Sequence, residues 1–420
     1  MTSVPNLLQR LNGNSRFFLC LFLAAGLGFS SCSRKVFTGK GRQKEKEKEE
    51  VKEEPEVEKD KGPFKREAPV LSLLLPFRLD QVDPGSANSL ESLRKSEVAL
   101  DFYQGFRMGL DSLSAMGASF KLQVYDTRDE NTTISRLTMK PELAESELIV
   151  GPVFPSGMNI IGRFAQNHQV YFISPLAPRI AVEDNAYQIV ATAPMEMHTN
   201  KAAGFIAGRL RPSSVLVLST ANAEESKYIG SFMKQMREKS SSLQVTEIDV
   251  GSFGSNISSL KEYLHEGQNV LVVPSLSSTF WKILFSYLDM QPGSYQFSII
   301  AHPELPEVEN IDMVKAEKYQ VYLTSSGGMP PKAESSGFYH AYEQKYGLPP
   351  SAYAAKGFDL AMYFGTALWN QGQELTEAIK EPYSGYHNEF DFSQTPDGYI
   401  NRGVKVLKAH NYEFSEVEQE

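Results

Sequence analysis

Short apolar runs alternate with segments of helical spacing from residue 70 to residue 325. Residues 147–175 set the pattern. The run Leu148, Ile149, Val150 ends on Gly151-Pro152, and a turn with Pro155, Ser156 and Gly157 follows. Met158, Ile161, Phe164 and Ala165 then share one face of a predicted helix, and a second run, Val170 to Ile173, ends on Ser174-Pro175. Buried strands of about 4–8 residues joined by one amphipathic helix predict a βαβ unit with parallel strands. In an open parallel sheet, ligands lie beyond the carboxyl ends of the strands. That rule brings Ser156 and Ser174 to one mouth, although each serine reads equally well as a helix cap or a turn closer.

The same grammar occurs twice. The first block starts with the apolar run VLSLLLPF, which predicts a strand buried on both faces. A long polar loop follows, then a helix over 97–116 with Val98, Phe102, Phe106, Leu110 and Leu113 on one side. The second block contains strands at 214–219, 245–250, 270–274, 297–301 and 319–324, with helices between them. Two successive runs of βα alternation predict an α/β fold with parallel sheets. Two longer helices, 333–346 and 353–369, come next. A hairpin-like end, 387–392 and 399–408, turns through Pro396-Asp397-Gly398.

The first 67 residues break this pattern. Arg10 and Arg16 precede an apolar run from Phe17 to Phe29, too short for a convincing spanning helix, and Ser30-Ser31-Cys32 follows. Residues 1–31 read as a signal peptide. Small residues before a cysteine resemble a bacterial lipobox, which implies that Cys32 carries lipid; an ordinary secretory signal or a membrane anchor is the other reading. The chain has two cysteines, and Cys20 falls in the removed segment, so Cys32 has no disulfide partner. Each buried CH₂ of an acyl chain contributes about 0.8 kcal/mol to anchoring. Residues 32–67 cluster Lys and Glu with almost no apolar content, the composition of a solvated tether.

The net charge of −9 excludes a nucleic-acid partner as the first expectation, because that needs a basic surface. Seven scattered histidines give no metal-ligand spacing, so no metal and no cofactor are expected. The chain lacks GxSxG, GxxxxGK[ST] and GxGxxG, and no enzyme is predicted.

From about Val70 to His410, the order of LLLPF, YDTRDENTT, IVGPVFPSG, YFISPLAP, YQIVATAP and NEFDFSQTPDGYINRGVKVLK resembles the type I periplasmic-binding-protein fold, branched-chain amino-acid receptor group. The run SEVALDFYQGFRMGLDSL resembles a Bacteroidetes-type lipoprotein subgroup of it. The resemblance implies two α/β lobes joined by a three-strand hinge, with crossings near 192–193, 325–326 and 388–389. Lobe one is then 68–192 plus 326–388, and lobe two 193–325 plus 389–420. A small-molecule ligand lies in the cleft, and the lobes close on it by hinge motion.

The resemblance also carries residues. Ser156 occupies the place of a serine that binds a ligand carboxylate, with Ser174 close behind. Pro178 replaces a second hydroxyl of the receptors. Tyr228 matches an aromatic cleft residue, and Glu304 the acid that pairs with a ligand ammonium. Arg78, after the first strand, reads as an anion contact or as a surface residue. Two functions follow. One is an envelope-anchored solute receptor on the periplasmic side, working with a transporter permease or a sensor. The other is a ligand-free module acting on peptidoglycan-synthesis proteins.

Overall fold

The computed structural model describes residues 68–81, 90–251, 257–327, 337–370 and 375–417. The signal peptide, Cys32 and the tether lie outside the described residues.

Apolar runs become strands buried on both faces. In β1 (Val70–Leu75), Leu71, Leu73 and Leu75 pack into one core layer, and Leu74 packs into the layer on the opposite face. The first sheet continues through α1 (Leu90–Ala115), β2 (Lys121–Asp126), α2 (Asn131–Leu137), α3 (Pro141–Ala144), β3 (Leu148–Val150), α4 (Met158–His168), β4 (Tyr171–Ser174) and β5 (Gln188–Val190). The chain then builds a second unit from α5 (Met195–Phe205), β6 (Ser214–Ser219), α6 (Ala223–Lys239), β7 (Gln244–Asp249), β8 (Gly267–Val273), α7 (Ser278–Asp289), β9 (Tyr295–Ala301), α8 (Met313–Lys318) and β10 (Val321–Ser325). It returns to the first unit with α9 (Gly337–Tyr346), α10 (Ala352–Trp369), α11 (Leu375–Ala378), β11 (Tyr383–Ser384), β12 (Glu389–Phe390), β13 (Phe392–Thr395) and β14 (Gly398–Asn401), and ends with β15 (Lys405–His410) and β16 (Glu413–Glu416).

The two sheets repeat one topology. The first runs β2-β1-β3-β4-β5-β14-β13, and the second β7-β6-β8-β9-β10-β15-β16. Among the first five strands of each, every pairing is parallel. The lobes differ at the sixth strand, since β14 joins β5 in parallel and β15 joins β10 antiparallel. This is the two-lobed α/β architecture that the sequence implied. Each sheet reverses its winding between its first and third strands, so each lobe has a crevice at that switch point.

One boundary is corrected. Residues 389–401, expected in the second lobe, belong to the first, because β13 and β14 extend the first sheet. The third passage between sheets is therefore at Arg402–Val404 rather than Asn388–Glu389. The expected single strand over 399–408 breaks there for a local reason. Asn401 donates its side-chain amide to the carbonyls of Ala191 (2.8 Å) and Glu389 (2.7 Å), which holds β14 to the first lobe. A Cβ on Gly403 would lie 2.5 Å from the Glu389 oxygen, so the turn needs glycine.

Lobe one depends on the packing of α1 against α10. A Cβ on Gly105 would strike the Ala354 carbonyl, and a Cβ on Gly357 would strike that of Phe102. The two backbones touch where these glycines cross, which lets Phe102, Phe106, Leu360 and Phe364 interlock in one core. In the other lobe, His198 on α5 meets Thr324 on β10, with Nδ1 3.1 Å from the Thr324 hydroxyl. Burial lowers the His198 pKa to about 4, and burial with the nearby Lys356 lowers His387 to about 3.

Two predictions follow from this packing. Alanine exceeds glycine in helix propensity by about 1 kcal/mol, so Gly230→Ala on the open face of α6 should raise the urea midpoint. Gly105→Ala should lower it despite the same propensity gain, by about 1–3 kcal/mol of overpacking. The second concerns pH. Unfolded histidine titrates near pH 6.5, so below that pH the unfolded chain binds protons that folded His198 refuses. Stability from this group is intact above about pH 6.5, falls on acidification, and levels off below about pH 4. Asp359, pushed up to about 6, works in the opposite direction. Urea unfolding at pH 7 and pH 5 should therefore show a smaller acid loss in His198→Gln than in the native chain, by about 2 kcal/mol at pH 5.

Candidate functional site

The loops beyond the carboxyl ends of β3 and β4 border an open cavity of ≈ 430 Å³. Its lining comprises residues 153–155 after β3, residues 176–179 after β4, and Tyr353 and Lys356 on α10. The volume suits a small organic molecule. Gly157 caps α4 with φ 73°, a left-handed conformation that glycine takes without strain, and a Cβ there would run into Ile134. That turn fixes the loop at the cavity wall.

The predicted residues divide. Pro155 lines the cavity and Ser156 follows it, half-buried, just ahead of α4. Ser174 is corrected. Its hydroxyl is buried and donates to the Ala177 carbonyl at 2.9 Å, closing the turn after β4, so it does not face the cavity. Tyr228 is corrected as well. It is 1 % exposed on the inner side of α6, in the core with Phe232, and its hydroxyl has no partner among the described residues. Its ring lies 5.3 Å from that of His302, and burial alone pushes its pKa up. Arg78, read as an anion contact or a surface residue, is engaged by internal partners. Its guanidinium faces Asp129 at 3.6 Å and donates to Gln81, while its backbone N–H and that of Leu79 bind the Asp126 carboxylate.

Glu304 stays exposed at the carboxyl end of β9. It opens the 3-10 turn Leu305–Glu307, and its N–H donates to His302 Nδ1 at 3.2 Å. Burial lowers the His302 pKa, with Glu304, Glu224 and Glu225 opposing. Lobe two thus presents acids at this end of its sheet.

Two residues escaped sequence reasoning. Lys356 lines the cavity half-buried and forms no ion pair among the described residues; its ammonium lies 5.6 Å from the centre of the Tyr353 ring. Burial lowers its pKa, and Glu307 on lobe two opposes that fall. Asp359, one turn later, is fully buried and accepts the backbone N–H groups of Tyr386 (2.9 Å), His387 (2.7 Å) and Asn388 (2.7 Å). Burial pushes its carboxyl up to about 6 against those three hydrogen bonds. The available signal was compositional: in AYAAKGFDLAMYFGTALW, Lys356 and Asp359 are the only charged residues of an 18-residue helix.

The described residues contain no group of three or more His, Cys, Asp or Glu placed to hold a metal, and no helix among them is long and apolar enough to cross a membrane. No protein-family model and no curated protein matches the chain. Solved structures do. A Rhodospirillum rubrum protein described as a branched-chain amino acid ABC transporter matches with TM-score 0.63 at 16% identity, over 83% of this chain and 100% of that one. An ABC transporter substrate-binding protein from Desulfitobacterium hafniense, solved with Leu, matches with TM-score 0.54 at 14% identity, over 84% and 100%. Full-length LpoA from Haemophilus influenzae matches with TM-score 0.56 at 13% identity, over 84% of this chain and 59% of that one. At these identities the likeness is one of architecture: the chain has the two-lobed fold of type I periplasmic binding proteins.

Proposed function

We propose that the chain is a non-catalytic solute receptor that takes a small molecule into the cleft between its lobes. The observation that carries this reading is the cavity at the carboxyl ends of β3 and β4, walled by Phe154, Leu176 and Pro178 and reached by Lys356. Concave sites with apolar walls and a few polar groups are the usual form of a ligand pocket. Ser156 and the amino end of α4 stand beside it, and Glu304 offers an acid from the facing lobe. The substrate-binding proteins among the structural neighbours support the same reading. The receptor is held on the periplasmic side of the envelope by lipid on Cys32 and a charged tether, where it hands its ligand to a transporter permease or a sensor.

One observation favours a second reading. Ser174, Tyr228 and Arg78 are occupied by internal contacts, as in a module that kept the fold and works by docking on envelope proteins. Among the neighbours, LpoA lends it support.

Thermal melting against amino acids and small organic acids separates the two. A ligand at about a hundredfold excess over Kd adds about 2.7 kcal/mol to stability. The receptor reading expects at least one such rise, together with a smaller radius of gyration in X-ray scattering as the lobes close. A flat response across the panel, with no change in scattering, favours the docking module.

A further inference from the structure

A second cavity, of ≈ 500 Å³, shares no residue with the one at β3 and β4. It lies on lobe two, between α5, the end of α6 and the strands β15 and β16. Two glycines open the helix surface to it. A Cβ on Gly204 or on Gly208 would meet nothing within 4 Å. A single π-helical turn, Ile206–Leu210, follows α5 at this point, a distortion that collects at functional sites. The floor between helix and sheet is apolar, with half-buried Phe205 and Val417 packed beside Val406 on the core beneath.

The charge of the groove runs against that of the chain. The chain carries a net −9, yet the lining holds four cations, Lys201, Arg209, Lys239 and Lys405, and one acid, Glu416. Lys405 is already held by the carboxylates of Glu389 at 2.6 Å and Glu416 at 3.0 Å. Lys201 and Lys239 meet no carboxylate among the described residues. Lys227 and Lys234, on the same helix as Lys239, each do. Arg209 follows Lys201 by two turns, about 12 Å along a helix. An extended chain spans that distance with about four residues.

A sheet edge adjoins the groove. Strand β16 is outermost in its sheet and pairs with β15. Val417 donates inward to the Val406 carbonyl, so by alternation the backbone groups of Phe414 and Glu416 face the open edge. A bare polyanion or a lipid headgroup would use the cations and leave the apolar floor and the strand edge untouched. A peptide uses all three.

We propose that this groove docks an extended acidic segment of a protein partner, in which two carboxylates about four residues apart flank one apolar side chain. The carboxylates meet Lys201, Arg209 and Lys239. The apolar side chain covers Phe205 and Val417, and the bare helix at Gly204 and Gly208 lets the backbone of the segment come close. Alternate residues of a strand share a face, so acid and apolar groups two apart all reach the groove. The site stands apart from the cleft and does not depend on the cleft taking a ligand.

Fluorescence anisotropy of the full-length protein tests it with a labelled peptide, Gly-Glu-Ala-Val-Ala-Glu-Gly. Two analogues accompany it, one with both Glu replaced by Gln and one with Val replaced by Ser. The acidic peptide should bind about fivefold or more tightly than the Gln analogue, from two exposed ion pairs, and the difference should shrink as salt is raised. The Ser analogue should bind more weakly than the parent. Lys201→Glu combined with Lys239→Glu should remove the preference for acid, while Lys227→Glu, outside the groove, should keep it. Gly208→Leu places a side chain in the groove on a better helix former; it should abolish binding and melt no lower than the native protein. Equal affinity for acidic and Gln peptides, binding indifferent to Gly208→Leu, or no binding of any peptide would each overturn the proposal. Vesicles of phosphatidylglycerol or inorganic polyphosphate bound through Lys201 and Lys239 more tightly than the peptide would also overturn it, by assigning the groove to another anion.

Discussion

A buried carboxylate braces the lobe-one segment on which the chain leaving lobe two is docked. Asp359 accepts three successive backbone N–H groups from residues 386–388, and Gly385 packs so closely on it that any side chain there would collide. The same segment pairs with the chain leaving lobe two: Gly327 bridges to Asn388, and Glu389 donates its N–H to the Ser326 carbonyl at 3.1 Å. Without Asp359 those three donors would face the helix unpaired, at a cost of about 1–3 kcal/mol each. Desolvation and hydrogen bonding therefore compete at this residue, and burial wins by enough to raise its pKa.

The position of Asp359 links the cavity to the segment 386–388. Lys356 stands three residues earlier on α10, where residues three apart are neighbours on a helix surface. Its carbonyl accepts the side chain of Asn388 at 3.2 Å. One turn of helix therefore carries a cavity-lining lysine and the anchor of residues 386–388 together. The turn itself is fixed by Gly357, whose bare backbone lies against Phe102 of α1. Interiors packed this closely have few intermediate positions, so a displacement of Lys356 is felt at residues 386–388.

The elements of the fold were legible because buried parallel strands leave a simple mark. VLSLLL and SVLVLS are apolar on both faces, and their two core layers use alternate residues of each. The third passage was illegible for the opposite reason. Residues 399–408 continue a strand-like pattern through Gly403, and only the position of the Glu389 carbonyl reveals why the chain must turn there. Site residues fared less well than elements, because direction matters more than position for a side chain. Ser174 sits at the predicted strand end but turns inward to Ala177, and Tyr228 sits on the predicted helix but on its core face. Lys356 was hidden by the general expectation that a helical lysine meets water.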